Sequence, residues 1–185
     1  EEFSKTLISN YKSECRVCGS KNLKLYLSLG LSPLANNLLD SKNEKTEKFP
    51  LELNYCETCF NSQLSVVVPP EEMFTNYLYL SSTAESFRKH FEDFAYKLKN
   101  DLKLNKNSLL VDIGSNDGVF LQPLKNLEIK AIGVEPAKNV ARVANKNKLK
   151  TLVGYFDKTL SKKIVKNYGK VDVVTAFNVF AHNDG

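Results

Sequence analysis

Ser108-Leu109-Leu110-Val111-Asp112-Ile113-Gly114-Ser115-Asn116-Asp117-Gly118-Val119-Phe120-Leu121 changes character twice. The apolar, partly β-branched run up to Ile113 is the pattern of a strand buried on both faces. Gly114 to Gly118 is a loop whose glycines allow a sharp turn and close approach of a ligand to the backbone. Val119-Phe120-Leu121 begins helical material. Strand, glycine loop and helix make the opening unit of a nucleotide-binding α/β fold. Working outward, residues 129–134 read as a second strand that ends in Glu135-Pro136. Glu135 lies 21 residues after Gly114, the separation at which a carboxylate on the second strand accepts hydrogen bonds from ribose hydroxyls. Residues 140–147 read as a helix and Thr151-Leu152-Val153 as a third short strand. After a turn at Tyr168-Gly169-Lys170, residues 171–177 read as a fourth, buried strand.

The loop chemistry bears on the ligand. A dinucleotide fingerprint is G-x-G-x-x-G, whereas this loop runs Asp-x-Gly-x-x-x-Gly from Asp112 to Gly118, with Asn116 in the place of the middle glycine. Asp112 and Asp117 would repel a pyrophosphate and suit a cation. S-adenosylmethionine carries a sulfonium and an ammonium and no phosphate, so the charge pattern favours it over NAD. A purely structural glycine turn is the alternative.

Upstream, the four cysteines form two C-x-x-C pairs, Cys15/Cys18 and Cys56/Cys59, with 37 residues between them. Two such pairs supply the four thiolates of a tetrahedral zinc site. With all four positions filled by protein, that site is closed and structural. Gly19, directly after Cys18, suits the tight turn of a knuckle. A thioredoxin-like pair needs one C-x-x-C, and two disulfides would suit a secreted protein. Residues 29–38 read as a proline-turned loop and residues 41–48 as an exposed one. Phe49-Pro50-Leu51-Glu52-Leu53-Asn54-Tyr55 alternates as a half-buried strand. Residues 63–68 read as another strand, stopped by Pro69-Pro70. Such a unit is small, and a metal would supply much of its stability.

Between the two regions, Glu71 to Phe74 begins a short helix, and Tyr77-Leu78-Tyr79-Leu80-Ser81-Ser82 carries two tyrosines with alternate spacing. Ser82 and Glu85 have the spacing of a capping box. Phe87, Phe91, Phe94, Ala95, Leu98 and Leu102 then recur along one helical face, with His90 beside them as a surface or packing residue. The expected organisation is a β-rich zinc-binding domain over residues 1–80, followed over residues 81–185 by the first part of a Rossmann-like α/β domain.

Composition excludes several classes. Of 185 residues 42% are hydrophobic and 25% charged, with 8 glycines and 6 prolines, so neither a disordered tail nor a low-complexity chain fits. The net charge of +5 sets 26 basic against 21 acidic residues, and the basic ones are 23 lysines and three arginines. Nucleic-acid readers lean on the arginine fork, so a solvated lysine-rich surface and no nucleic-acid partner are expected. No apolar run approaches the roughly 20 residues of a membrane span. With no signal-peptide core, a cytoplasmic location is expected. The chain starts at Glu1 and stops just after the run Val179-Phe180-Ala181-His182, which reads as a fragment of a longer protein.

The loop 112–118, the strand end Gly133-Val134-Glu135-Pro136 and Phe177-Asn178-Val179-Phe180-Ala181-His182 resemble class I methyltransferases. With the two C-x-x-C pairs, Pro33-Leu34-Ala35-Asn36 and residues 77–82, the chain resembles the zinc-containing sugar C-methyltransferases, which methylate a carbon of a deoxy-keto nucleotide sugar. The likeness runs from Cys15 to His182. It implies a zinc domain, a central S-adenosylmethionine domain and a C-terminal domain, of which this chain would hold the first and about half of the second. It further implies that Asp112, Gly114, Asn116, Asp117 and Gly118 line the methionine end of the cofactor. Glu135 would hold the ribose, and Pro136 and Ala137 would flank the adenosine. Residues 178–182, including Asn178 and Phe180, would face the transferring methyl. Tyr77, Tyr79 and Ser82 would face a nucleotide-sugar substrate.

Carbon methylation needs an enolate: a base takes the proton beside a ketone and donors hold the oxygen. His182, with Tyr77 and Tyr79, is the catalytic candidate, and the fragment alone is expected to be inactive without the missing domain. Two other readings stand beside this one. One is a methyltransferase of another small molecule, such as a keto acid or a nucleic acid base. The other is a non-catalytic zinc-binding interaction module. Oligomeric state is not legible.

Overall fold

A computed structural model describes residues 10–35, 38–39, 41–74 and 77–180. The chain divides into two compact units, the first ending at Met73 and the second starting at Phe74. The sequence reading had placed that division at residue 80.

The first unit is a three-stranded antiparallel sheet in the order β1 (Leu23–Pro33), β2 (Lys48–Cys56) and β3 (Ser62–Leu64). Three corrections to the sequence reading arise here. The loop expected from residue 29 is strand as far as Pro33. Gly30, with φ of 74°, sits where the β1–β2 register slips between Ser28 and Leu31, so the glycine serves a bulge and not a turn. The strand expected over residues 63–68 stops at Leu64, beyond which Val66 makes a single antiparallel bridge to Tyr11. Its apolar core is thin: Phe49 and Val66 are buried, with Leu34 and Val68 packed against them. A short helix, α1 (Pro70–Phe74), follows.

In the second unit a 3₁₀ turn (Ser81–Thr83) leads into α2 (Glu85–Asp101). Four parallel strands then alternate with helices: β4 (Leu109–Ile113), α3 (Leu121–Asn126), β5 (Lys130–Glu135), α4 (Lys138–Lys146), β6 (Thr151–Val153), α5 (Lys158–Tyr168) and β7 (Val173–Ala176). The sheet order β6-β5-β4-β7 places the first strand of this unit in the middle. The order reverses between β4 and β7, the switch point at which open α/β sheets bind ligands. This is the Rossmann-like arrangement expected from the strand–loop–helix pattern.

Both faces of the two central strands β4 and β5 are covered, which explains their largely apolar runs, whereas Val153 of β6 and Val174 of β7 are half-exposed. On one face the phenylalanines of α2 meet the sheet. Phe91, Phe94, Phe120 and Phe177 pack as a ring cluster with centroids 4.9–5.6 Å apart, mostly edge to face. Leu110 and Leu124 complete that core. On the other face Ile164 of α5 packs over Leu109, Val111, Ile132 and Val134. Leu102, expected on the apolar stripe, is instead the exposed C-cap of α2. The expected capping box is also absent. Ala84 is the N-cap of α2 and no side chain caps it; Ser82 lies inside the preceding 3₁₀ turn, with its amide donated to Asp117. The α5 helix, not anticipated, is started by Asp157, whose carboxylate accepts from the Leu160 amide at 2.7 Å. Among the described residues no helix is long and apolar enough to cross a membrane.

Candidate functional site

The four cysteine sulfurs lie within 4.8 Å of one another. Cys15 and Cys59 are 3.5 Å apart, and Cys18 and Cys56 3.7 Å. Sulfurs at zinc–sulfur bonds of about 2.3 Å in a tetrahedron are about 3.8 Å apart, so the quartet matches a zinc site. All four are free thiols.

The two knuckles are built alike. The Cys15 amide donates to the Ser20 carbonyl and the Gly19 amide returns to the Cys15 carbonyl. Cys56 does the same with Asn61 and Phe60. The fifth residue of each turn is left-handed, with φ of 74° at Gly19 and 63° at Phe60. Gln63 secures the first knuckle from β3, accepting from the Arg16 amide at 2.8 Å and donating to the Glu14 carbonyl at 3.0 Å.

Electrostatics in the quartet ask for a cation. The backbone amides of Cys18 and Val17 lower the Cys15 thiol to about 6. At Cys59 the Asn61 amide favours the thiolate, but the crowding Cys18 sulfur and burial outweigh it and push the group up to about 12. One thiolate forms readily and discourages the next. A dication removes that conflict, so metal binding expels protons and weakens as pH falls.

The second site lies at the carboxyl ends of β4 and β5. Gly114 and Gly118 hold φ of 66° and 85°. Protein, and not only a ligand, requires both glycines: a Cβ on Gly114 would lie 2.4 Å from the Val179 side chain, and one on Gly118 would lie 2.6 Å from Leu149. Asn116, at φ of 50°, adopts the left-handed region that asparagine tolerates. Glu135 is buried and braces the loop. Its Oε2 accepts from the Asn116 amide at 2.8 Å and its Oε1 from the Ala137 amide at 2.9 Å. Burial raises its pKa against those two amides.

Asp112, in β4, is also buried. Burial raises it to about 7, with Glu135 adding to the rise. The Thr175 hydroxyl on the neighbouring strand works the other way, donating to Asp112 Oδ1 at 2.7 Å. Asp117 Oδ2 accepts from the Ser82 amide at 3.2 Å, and its buried Oδ1 has no partner. That orphaned carboxylate oxygen, with no arginine or lysine paired to it among the described contacts, fits the ammonium or sulfonium of a cationic ligand and not a phosphate.

Residues expected at this site are thus brought together in one place: Asp112, Gly114, Asn116, Asp117, Gly118, Glu135, Pro136 and Ala137, with Tyr79 and Ser82 joined to the loop through their backbones. Asn178 is exposed with φ of 54°, and Phe180 is 81% exposed. His182 lies outside the described residues. Sequence reasoning did not single out Thr175 or Asn139, and it placed Val179 by the transferring methyl without foreseeing that its side chain closes on Gly114. Thr175 and Val179 are set by strand register and loop return. Asn139 bonds across 62 residues to Tyr77, a separation no local pattern marks.

Comparison with known proteins adds to this. A family described as "Putative zinc binding domain" matches residues 15–74, which hold all four cysteines. C-methyltransferase NovU of Streptomyces niveus is 32% identical over 171 residues, covering 91% of this chain and 41% of its own length. The chain therefore spans about two-fifths of that curated relative. Among solved structures, magnesium protoporphyrin IX methyltransferase of Synechocystis PCC 6803 is similar with 17% identity and a TM-score of 0.38, over 52% of this chain and 44% of the other. An RNA methyltransferase of Salinibacter ruber shows 17% identity and a TM-score of 0.37, over 48% and 60%. Residues 15–74 thus match a zinc-binding domain family, and sequence from the zinc knuckles through the glycine loop is similar to a C-methyltransferase.

Proposed function

We propose that the protein is an S-adenosylmethionine-dependent C-methyltransferase acting on a deoxy-keto nucleotide sugar, in the cytoplasm. The observation that carries the cofactor half is the buried Asp117 Oδ1, unpartnered among the described residues, in a loop that also holds the buried acids Asp112 and Glu135 at its strand ends. The relative named as a C-methyltransferase supports the reaction type, and its family resemblance supports the sugar acceptor.

The bound cofactor would supply an electrophilic methyl group. The rest is the work of this chain. Asp117 binds the cationic methionine end, and Gly114, Asn116 and Gly118 shape the turn around it. Glu135, with both oxygens already oriented by backbone amides, keeps lone pairs for ribose hydroxyls. Pro136 and Ala137 flank the base. On the acceptor side, His182 takes the proton next to the ketone, and Tyr77 and Tyr79 place donors for the enolate oxygen. Asn178 and Phe180 exclude water from the transferring methyl. The zinc holds the first unit together and takes no part in the chemistry.

Calorimetric titration with S-adenosylhomocysteine tests the reading. Wild-type protein is expected to bind, and Glu135→Gln to bind about tenfold more weakly or worse, about 1.4 kcal/mol. Equal affinity would remove Glu135 from the ribose role, and binding of NAD in its place would overturn the cofactor. A nucleotide-activated deoxy-keto sugar should raise the melting temperature of the S-adenosylhomocysteine complex. A keto acid that does so instead would replace the sugar as acceptor.

A further inference from the structure

Asn139 stands in the first turn of α4, where asparagine is a poor helix former, and it does not cap that helix. Both ends of its amide go to one residue of a distant segment. Oδ1 accepts from the Tyr77 amide at 3.2 Å and Nδ2 donates to the Tyr77 carbonyl at 2.6 Å. Asn116 repeats the arrangement further along. Its Nδ2 donates to the Tyr79 carbonyl at 3.1 Å and its Oδ1 accepts from the Ser81 amide at 3.0 Å. Asp117 then receives the Ser82 amide. All five of these hydrogen bonds from Asn139, Asn116 and Asp117 use the segment's main chain.

Both anchors lead to the same acid. Asn116 donates its own amide to Glu135 Oε2. Ala137, two residues before Asn139, donates to Glu135 Oε1. Glu135, the glycine loop, the tyrosine segment and the start of α4 therefore close a circuit of hydrogen bonds. Glu135 is thereby linked to the tyrosine segment from two sides.

We propose that Asn139 is a positioning residue: its two-point grip on Tyr77, paired with that of Asn116 on Tyr79 and Ser81, registers the tyrosine segment against Glu135, so that filling the cofactor site orders the acceptor-binding side. The inference rests on the cofactor reading above. Asn139 touches neither ligand and acts through Tyr77 and Tyr79.

Backbone hydrogen exchange on the full chain decides it, with and without saturating S-adenosylhomocysteine, in wild type and Asn139→Ala. Without ligand, Asn139→Ala should exchange the Tyr77 amide at least tenfold faster, while the Ser81 and Ser82 amides, held by Asn116 and Asp117, and the β5 amides stay unchanged. With ligand, wild type should gain protection at both Ala137 and Tyr77, and the variant at Ala137 alone. A merely structural role would not separate those two. Asn139→Asp, which keeps the acceptor and loses the donor, should fall between them and serves if the alanine variant misfolds. Unchanged exchange at Tyr77, or equal ligand protection in both proteins, overturns the proposal. Wild-type protein giving no heat with S-adenosylhomocysteine overturns the cofactor reading and the coupling with it. The ligand-free comparison still decides whether Asn139 holds the segment.

Discussion

The two units of this chain offset conformational entropy by opposite means. In the second, a ring cluster of phenylalanines and two apolar layers enclose a parallel sheet. In the first, the buried apolar residues among those described are Cys15, Phe49, Cys56 and Val66, and two of the four are thiols. Its longest strand leaves Leu25, Tyr26, Leu27, Leu29 and Leu31 exposed. Burial therefore accounts for the second unit and not for the first, whose folding must be coupled to an ion. The lesson is that sheet content says little about what holds a sheet together.

The largest effect that would break this contrast comes from metal removal. A strong chelator should unfold the first unit alone, since a structural zinc in small domains is worth about 10–16 kcal/mol at neutral pH. Amide protection at Leu53 and Gln63 should vanish while that at Leu110 and Ile132 persists. Retained protection at Leu53 would show that the sheet stands without its ion. Next, Phe120→Ala should cost the second unit about 3–5 kcal/mol in urea unfolding and leave one zinc per chain. Loss of zinc from that variant would show that the units are not energetically independent.

A smaller effect concerns Asp112. Its folded pKa of about 7 stands above the ordinary 3.8, so between those values the folded state holds a proton that the unfolded state has lost. Stability of the second unit should therefore fall as pH rises from about 4 to about 7. Asp112→Asn should flatten that slope by on the order of 2 kcal/mol, and equal slopes would show the carboxyl ionised throughout. The smallest effect sharpens the knuckle comparison. Phe60 holds a left-handed φ where Gly19 stands in the matching turn. Phe60→Gly should raise the zinc unit's stability by about 1 kcal/mol, less what the contact with Tyr55 supplies. A destabilised variant would mean that the ring outweighs the strain.

Legibility follows the same division. The second unit was readable because buried parallel strands are short unbroken apolar runs and the glycine loop punctuates them. Even three-residue β6 could be found. In the first unit the knuckles were readable from spacing, but β1 was not. Its bulge places Gly30 and Pro33 inside the strand, where they imitate a loop. Residues 81–84 misled for a different reason. Ser82 and Glu85 satisfy a local capping rule, but Asp117 takes the Ser82 amide from across the unit, and the helix begins at Glu85 without it. The α5 helix was missed because its face toward the sheet is narrow, with Ile164 its buried residue. At the candidate site the acids and glycines were legible from their own chemistry. Thr175 and Asn139 were not, nor was the closure of Val179 on Gly114, because each matters through a partner far away in sequence.

The tyrosine segment is gripped by its peptide groups, so its side chains carry little of the burden of staying in place. Replacing Tyr77, Leu78 or Tyr79 leaves every one of those five bonds available. Natural drift could therefore exchange one set of side chains for another without disturbing the loop beneath. Such a segment behaves as a cassette, its outward residues exchangeable over a fixed main chain.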